Sequence, residues 1–171
     1  MNSFVKLNTC EISENPFKLI GKDWMLITAG QKGKFNTMTA SWGAFGVLWN
    51  KNCCTIYVRP TRYTYNFLEK NEYYTLSFFE EKFRDALNIC GAYSGKDTDK
   101  IKKSGLSPFQ TGNSIAFKEA KLIIECKKIY FGELNPVNIL DKKDDAAFYP
   151  KKDYHRMYIG EITECLKKDN L

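Results

Sequence analysis

Short apolar stretches separated by turn residues dominate the chain, and they are rich in β-branched and aromatic side chains. This pattern predicts β-strands. The best candidates are residues 24–29, 55–59, 73–79 and 120–134, and a last strand over 154–166 in which apolar and polar positions partly alternate. Gly and Pro bound several of these stretches, as expected where strands end. The chain is therefore predicted to be mainly β.

Helical spacing occurs in three places between the strands. Residues 80–92 carry apolar side chains at spacings of four and three, which indicates one helix. Shorter helices are predicted through Lys70, with Thr61 or Thr64 as the cap, and over 96–104, with Ser94 or Asp97 as the cap and Gly105 as the stop. Residues 135–152 are predicted to form a surface loop with at most a helical turn.

The order of these elements argues against one common nucleotide-binding fold. No βαβ rhythm and no G-x-G-x-x-G motif is present, which argues against a Rossmann fold. Several strands with inserted helices favour an antiparallel β-barrel, because closure removes exposed sheet edges. We expect a single domain over residues 1–171.

Composition narrows the function classes. The formal net charge of +6 suits an anionic ligand, but the lysine pairs are scattered and do not demand nucleic acid. The single histidine, His155, argues against zinc sites and leaves a lone His that is either structural or close to a ligand. No signal peptide or membrane-length apolar stretch is present, so we expect a cytoplasmic protein with reduced, mostly buried cysteines. We expect no metal site.

One hydroxyl-rich segment suits a flat aromatic ligand. Residues 36–43 contain Asn, Thr and Ser side chains that can bond to a polar ring edge, and Gly43 lets the backbone come close. The alternative is a turn whose hydroxyls bond to their own backbone. The candidate ring-binding residues are Asn36, Thr37, Met38, Thr39, Ala40, Ser41 and Trp42.

A second cluster suits a phosphate. Two guanidinium groups and two hydroxyls fall within residues 59–64, and guanidinium groups match phosphate oxygens well. The alternative is that both arginines pair with Glu69 or Glu72. A ring at one end and a phosphate at the other describe flavin mononucleotide (FMN). The candidate phosphate-binding residues are Arg59, Arg62, Tyr63 and Thr64, and Lys96 or Lys100 of the later segment could also reach a phosphate.

Six blocks in order resemble the flavin reductase-like family, in particular its flavoredoxin branch. They are residues 36–43, 46–51, 57–64, 76–79, 94–100 and 152–162. The resemblance implies a split β-barrel that binds FMN, usually as a homodimer. It also implies that Ser94, with Lys96 or Lys100, helps the 59–64 cluster to hold the phosphate. It also implies electrons from NADH or NADPH, or from another reduced carrier, passing through FMN to an acceptor. Because the flavin carries the chemistry, we expect no catalytic side chain.

Two alternatives remain open at this stage. The first is a flavin-binding electron carrier that works with a redox partner protein and has little nicotinamide activity. The second is a barrel that binds single-stranded nucleic acid through its aromatic and basic side chains. We expect no nucleic acid and no membrane as partners. We also expect none of the six cysteines, Cys53 and Cys54 included, to take part in electron transfer.

Overall fold

The computed structural model describes residues 4–169, and a long antiparallel sheet organises them. Seven strands follow one hydrogen-bonded order, β3-β2-β6-β9-β10-β5-β4, and β1 pairs with the end of β10. The prediction of a mainly β protein with inserted helices is confirmed. The strands are β1 (Phe4–Lys6), β2 (Met25–Gln31), β3 (Lys34–Ala40), β4 (Gly43–Leu48), β5 (Lys51–Val58), β6 (Tyr73–Phe78), β7 (Pro108–Gln110), β8 (Ile115–Phe117), β9 (Leu122–Glu133) and β10 (Arg156–Lys168).

The helices are short and lie between strands. They are α1 (Pro16–Lys18), α2 (Tyr63–Lys70), α3 (Arg84–Ala92), α4 (Lys100–Ser104) and α5 (Lys142–Phe148). A π-helical turn, Leu19–Asp23, follows α1, and a 3-10 turn, Glu81–Phe83, precedes α3. Gly105 ends α4 with φ of +69°, a left-handed conformation that glycine adopts without strain, as predicted.

Three helix-start predictions are wrong. Arg62 occupies the cap position of α2 without a side-chain bond, so neither Thr61 nor Thr64 caps it. The predicted helix over 96–104 begins only at Lys100, because Asp99 accepts the Lys102 N–H at 3.0 Å and caps it there. Ser94 instead accepts from the Lys96 N–H in a local turn.

Two hydrophobic clusters lie on the opposite faces of the sheet. Met25 and Ile27 of β2 belong to the cluster inside the barrel, whereas Leu26 between them belongs to the other. The second cluster lies beneath α3 and the β7–β8 hairpin and includes Leu87 and Phe117. The central strands are therefore buried on both faces, which explains why their sequences are continuous apolar stretches.

The chain turns sharply between the two ends of the strand order. β3 lies at one end, β4 lies at the other, and only Ser41 and Trp42 connect them. The sequence pattern shows no boundary within residues 35–46, which hold most of these two strands. This connection carries the predicted ring-binding segment to an edge of the barrel.

Candidate flavin site

A small cavity forms where β3 runs into β4. Its volume is about 190 Å³. Five of the predicted ring-binding residues line it together with both predicted arginines, so distant parts of the sequence meet here. The lining residues are Met38, Thr39, Ala40, Ser41, Trp42, Tyr57, Arg59, Arg62 and His155.

A second polar cavity lies farther back along β3. Its volume is about 410 Å³, and it is bounded by the start of β3 and by the segment that leads into α4. Asn36 and Thr37 line this cavity, whereas Met38 and Thr39 line the first. β3 is therefore a wall of both. The remaining lining residues are Phe35, Gly95, Lys96, Asp97, Thr98, Asp99, Lys100 and Ile101.

A hydrogen bond and a close backbone contact fix the side chain of Asn36 in the wall of the second cavity. Its Nδ2 donates to Thr64 Oγ1 at 2.7 Å, and both side chains are buried. Gly95 packs directly against it, since a Cβ atom at position 95 would come within 2.0 Å of Asn36 Oδ1. Residue 95 is thus restricted to glycine by this close approach.

The threonines of β3 use their hydroxyls within the protein. Thr37 Oγ1 donates to the Ile27 carbonyl at 3.2 Å and lies 2.9 Å from Thr28 Oγ1. Thr39 Oγ1 donates to the Leu87 carbonyl. The alternative of a turn whose hydroxyls bond to their own backbone does not describe these two residues, because both lie in β3 and their acceptors are carbonyls of β2 and α3. Any contact they make with a ligand would come mainly from their backbone groups.

Two cations face the polar cavities without a carboxylate partner. Arg62 Nη2 donates to the Gly91 carbonyl at 3.1 Å. The buried Lys100 Nζ donates to the carbonyls of Thr37 and Cys90. Within residues 4–169 neither side chain forms an ion pair with Asp or Glu. Burial lowers the pKa of both, to about 8 for Lys100, and the nearby charge of Arg62 adds to the effect on Lys100.

Arg59 has a different environment. Its Nη1 pairs with Asp153 Oδ1 at 2.7 Å, and its Nη2 donates to the Phe148 carbonyl at 2.7 Å. The hydrogen bond from Arg59 lowers the pKa of Asp153. The alternative pairing of Arg59 or Arg62 with Glu69 or Glu72 does not occur. Arg59 therefore fastens the end of the α5 segment to the site while still lining the first cavity.

The remaining predicted residues lie around these cavities in different ways. Lys96 is exposed and lines the second cavity. Thr64 reaches the site through Asn36. Ser94 and Tyr63 line neither cavity; Tyr63 packs edge-to-face on Phe67 with ring centroids 5.3 Å apart.

His155 lies at the site, although its role could not be assigned from sequence. Its Nδ1 is 2.8 Å from the Tyr149 hydroxyl, and its ring centroid is 5.0 Å from that of Trp42. Burial lowers the pKa of His155 to about 4, so the ring is neutral near pH 7. Tyr57 and Tyr149 were not predicted at all. A single sequence gives no signal for them, because their proximity depends on strand pairing and on the fold of residues 135–155.

Comparison with known proteins now identifies the family. A model described as a flavin reductase like domain matches residues 18–171, which is most of the chain. The chain belongs to the flavin reductase-like family. A search of curated proteins finds no significant match.

Solved structures similar to this flavin reductase-like chain support the fold. An FMN-binding domain of a flavin reductases-like enzyme from Shewanella baltica gives a TM-score of 0.69 at 15% identity, covering 97% of this chain and 78% of that one. A protein with a split barrel domain from Shewanella frigidimarina gives a TM-score of 0.67 at 19% identity, covering 96% of this chain and 76% of that one. A flavoredoxin from Methanosarcina acetivorans gives 0.65 at 23%, covering 84% and 67%. The predicted split-barrel fold is confirmed.

The described part of the chain contains neither a metal-binding cluster nor a membrane-spanning helix. Within residues 4–169 no cluster of His, Cys, Asp or Glu could hold a metal ion. In the same part of the chain, no helix is both long and apolar enough to cross a bilayer.

Proposed function

We propose that the protein binds FMN non-covalently and passes electrons from NADH or NADPH, or from another reduced carrier, to an acceptor. The observation that carries this proposal is the pair Arg62 and Lys100. Both donate to backbone carbonyls, and neither has a carboxylate partner among the described residues. A partly buried cation without a counter-ion is costly, and a phosphate group would compensate both charges at once. The FMN-binding domain from Shewanella baltica, similar in fold, adds support.

The residues present fit FMN at both ends. Arg62 and Lys100, with Lys96 at the rim, would hold the phosphate. Residues 38–42 would hold the ring, with the backbone of β3 offering hydrogen-bonding groups and Trp42 offering an aromatic face. Arg59 lines the first cavity but already forms an ion pair with Asp153. We therefore expect Arg59 to contribute less than Arg62 to phosphate binding.

When bound, FMN would supply the two-electron chemistry. The protein's own residues would position and shield it. The neutral His155 and the Trp42 ring would limit the access of water to the first cavity, and the Tyr149 hydroxyl fixes the His155 ring through Nδ1. Hydride transfer to a flavin requires no side-chain acid or base. We therefore assign no catalytic residue.

A flavoredoxin-like electron carrier is the second candidate. Its support is the resemblance to the flavoredoxin from Methanosarcina acetivorans. Such a carrier would hold FMN in the same site but would take electrons from a redox partner protein and react poorly with nicotinamide nucleotides.

The absorbance spectrum and stopped-flow reduction test both candidates. A yellow purified protein with stoichiometric FMN is expected. Rapid anaerobic bleaching by NADH or NADPH supports the reductase, whereas bleaching by dithionite but not by either nucleotide supports the carrier. A colourless protein that does not bind added FMN, or one that copurifies with nucleic acid instead, contradicts both.

We also propose a cytoplasmic homodimer. The supporting feature is a set of exposed apolar side chains that a lone barrel does not need for its core. Val47 and Trp49 are 71% and 62% exposed at the β4–β5 hairpin, and Phe131 is 60% exposed on β9.

A further inference from the structure

A third cavity, which we call the apolar cavity, adjoins the ring end of the proposed flavin site. Its volume is about 560 Å³, within the usual range for small-molecule sites. Three residues line both this cavity and the first, small cavity, whose wall includes residues 38–42. They are Ser41, Trp42 and Tyr57. A molecule bound here would lie next to the ring, in a cavity that neither Arg62 nor Lys100 lines.

The lining of the apolar cavity selects against charged ligands. It is built from α1 and the π-turn on one side, β4 on another, and Leu134 and Tyr149 from the later segment. No Asp, Glu, Lys, Arg or His is among these lining residues. The pyrophosphate of a nicotinamide nucleotide would find no counter-charge there, and desolvating an unpaired charge is costly.

The same lining suits a flat, uncharged ring with carbonyl oxygens. Phe17, Phe45 and Trp42 offer aromatic surfaces, and Ile20 and Leu134 add aliphatic contact. The hydroxyls of Ser41 and Tyr57 can donate to a carbonyl oxygen, whereas the Tyr149 hydroxyl already bonds to His155 Nδ1. Aromatic walls and a few hydroxyls are the features that recognise quinone-like rings.

We propose that the apolar cavity binds the electron acceptor, and that this acceptor is an uncharged, quinone-like aromatic compound. The inference rests on the proposed function. Reduction of a quinone to its hydroquinone takes two electrons and two protons. Fully reduced FMN, held by the residues of the proposed flavin site, would supply both electrons and both protons, so the exchange would balance without another reactant.

Calorimetric titration with menadione, an uncharged naphthoquinone, tests the proposal. The protein carries oxidised FMN, and no nicotinamide is present, so binding is measured without turnover. We expect saturable binding at one site, and at least about tenfold weaker binding of the anionic sulfonated analogue. Absence of menadione binding to protein that does hold FMN overturns the proposal.

Two blocking substitutions and one control test whether menadione binds in the apolar cavity. Ala44 is exposed on β4, so Ala44→Phe should fill the cavity without disturbing the core and weaken menadione binding at least about tenfold. Ala44→Ser keeps the volume and should change the affinity by less than about twofold. Gly21→Leu, from the opposite wall, has nothing within 4 Å of its Cβ and gives a second, independent block.

FMN titration of every variant separates this proposal from the proposed function. FMN affinity should be equal in all of them. Failure of FMN to bind defeats the proposed function, while menadione titration of the flavin-free protein still reports on the cavity. Undiminished menadione binding in Ala44→Phe and Gly21→Leu overturns the inference. So does a change of mass by light scattering with no change in menadione affinity, which would mark the cavity as an interface between copies.

Discussion

Asn36 and Thr64 connect the two halves of the candidate site through one buried hydrogen bond of 2.7 Å. Asn36 belongs to the wall of the second cavity, and Thr64 lies in the first turn of α2, two residues after Arg62. The bond therefore fixes the distance between the β3 wall and the arginine proposed to bind phosphate. It also explains why a threonine at this position does not cap its own helix.

Replacing Thr64 with Val should break this connection. The substitution keeps the shape but leaves the Asn36 amide with only a 3.4 Å contact to the Thr37 carbonyl, so we expect a loss of about 1–2 kcal/mol in the free energy of unfolding. Urea denaturation measures it. Thr61→Val, at an exposed position beside the same helix, is the matched control and should change stability by under about 0.5 kcal/mol. Equal effects of the two substitutions would contradict the structural role of the bond.

Local patterns in the sequence predicted five of the ten strands within residues 4–169, namely β2, β5, β6, β9 and β10, and they predicted the helix caps poorly. The stretch that became β6 was predicted to within one residue, because it is apolar and bounded by polar residues at both ends. Thr64 was misassigned as a cap because its partner, Asn36, lies 28 positions away. A long-range hydrogen bond competes with local capping, and a single sequence does not show which of them forms.

The same distinction applies to the site. Residues 38–42 line one cavity because they are consecutive, so one motif was enough to find them. Tyr57 and Tyr149 come from other parts of the chain. Tyr57 is placed by the pairing of β5 with β10, opposite Met157, and Tyr149 follows α5 in a segment predicted only as a loop. Neither position follows from periodicity.

Arg62→Ala should weaken FMN binding far more than riboflavin binding. The lost charge-assisted bonds are worth about 1.5–3 kcal/mol, which is about tenfold to a hundredfold in affinity. Riboflavin lacks the phosphate and should bind both proteins with similar affinity. Fluorescence titration measures both ligands. Lys32→Ala, in the exposed β2–β3 turn, controls for net charge. Equal FMN and riboflavin affinities in the unmodified protein would show that no phosphate is held.

FMN affinity should also fall as the pH rises past the pKa of Lys100. Burial lowers this pKa from 10.5 to about 8, so the ammonium is charged below pH 8 and loses its proton above it. The charged form is the one that attracts phosphate, and its fraction drops about tenfold between pH 7 and pH 9, so affinity should drop to a similar extent. The second ionisation of a phosphate, near pH 6, lies below this window.

Lys100→Met is the control for this pH dependence. The variant should bind FMN weakly at pH 7 and should show a nearly flat profile up to pH 9. Riboflavin affinity should be flat in both proteins over the same range. A wild-type FMN profile without a decline would mean that Lys100 does not contact the phosphate or that it keeps its proton.

The proposed homodimer predicts a mass twice that of the 19.8 kDa chain. The physical reason is the exposed apolar surface, which a second copy would remove from water. Light scattering coupled to gel filtration measures the mass, across micromolar concentrations and with and without FMN. A mass of one chain throughout would show that these side chains serve another purpose.

The two cysteines of β5 are expected to be structural. Cys54 is fully buried, and burial raises its pKa well above that of a free thiol, so it is a poor nucleophile at neutral pH. Cys53 is buried as well, with a pKa raised for the same reason. All six cysteines are free thiols. A Cys53→Ala, Cys54→Ala double variant should therefore keep its FMN content and its rate of flavin reduction by the preferred donor.

The double variant should lose only stability, by about 1–2 kcal/mol, because two small buried side chains leave space behind. Cys10→Ala, at an exposed thiol, should leave both stability and turnover unchanged and serves as the control. Turnover with a natural or artificial acceptor is the deciding measurement. If it fell in the double variant while flavin content and flavin reduction stayed normal, electrons would have to leave the cofactor through the thiols, and the flavin alone would no longer account for the chemistry.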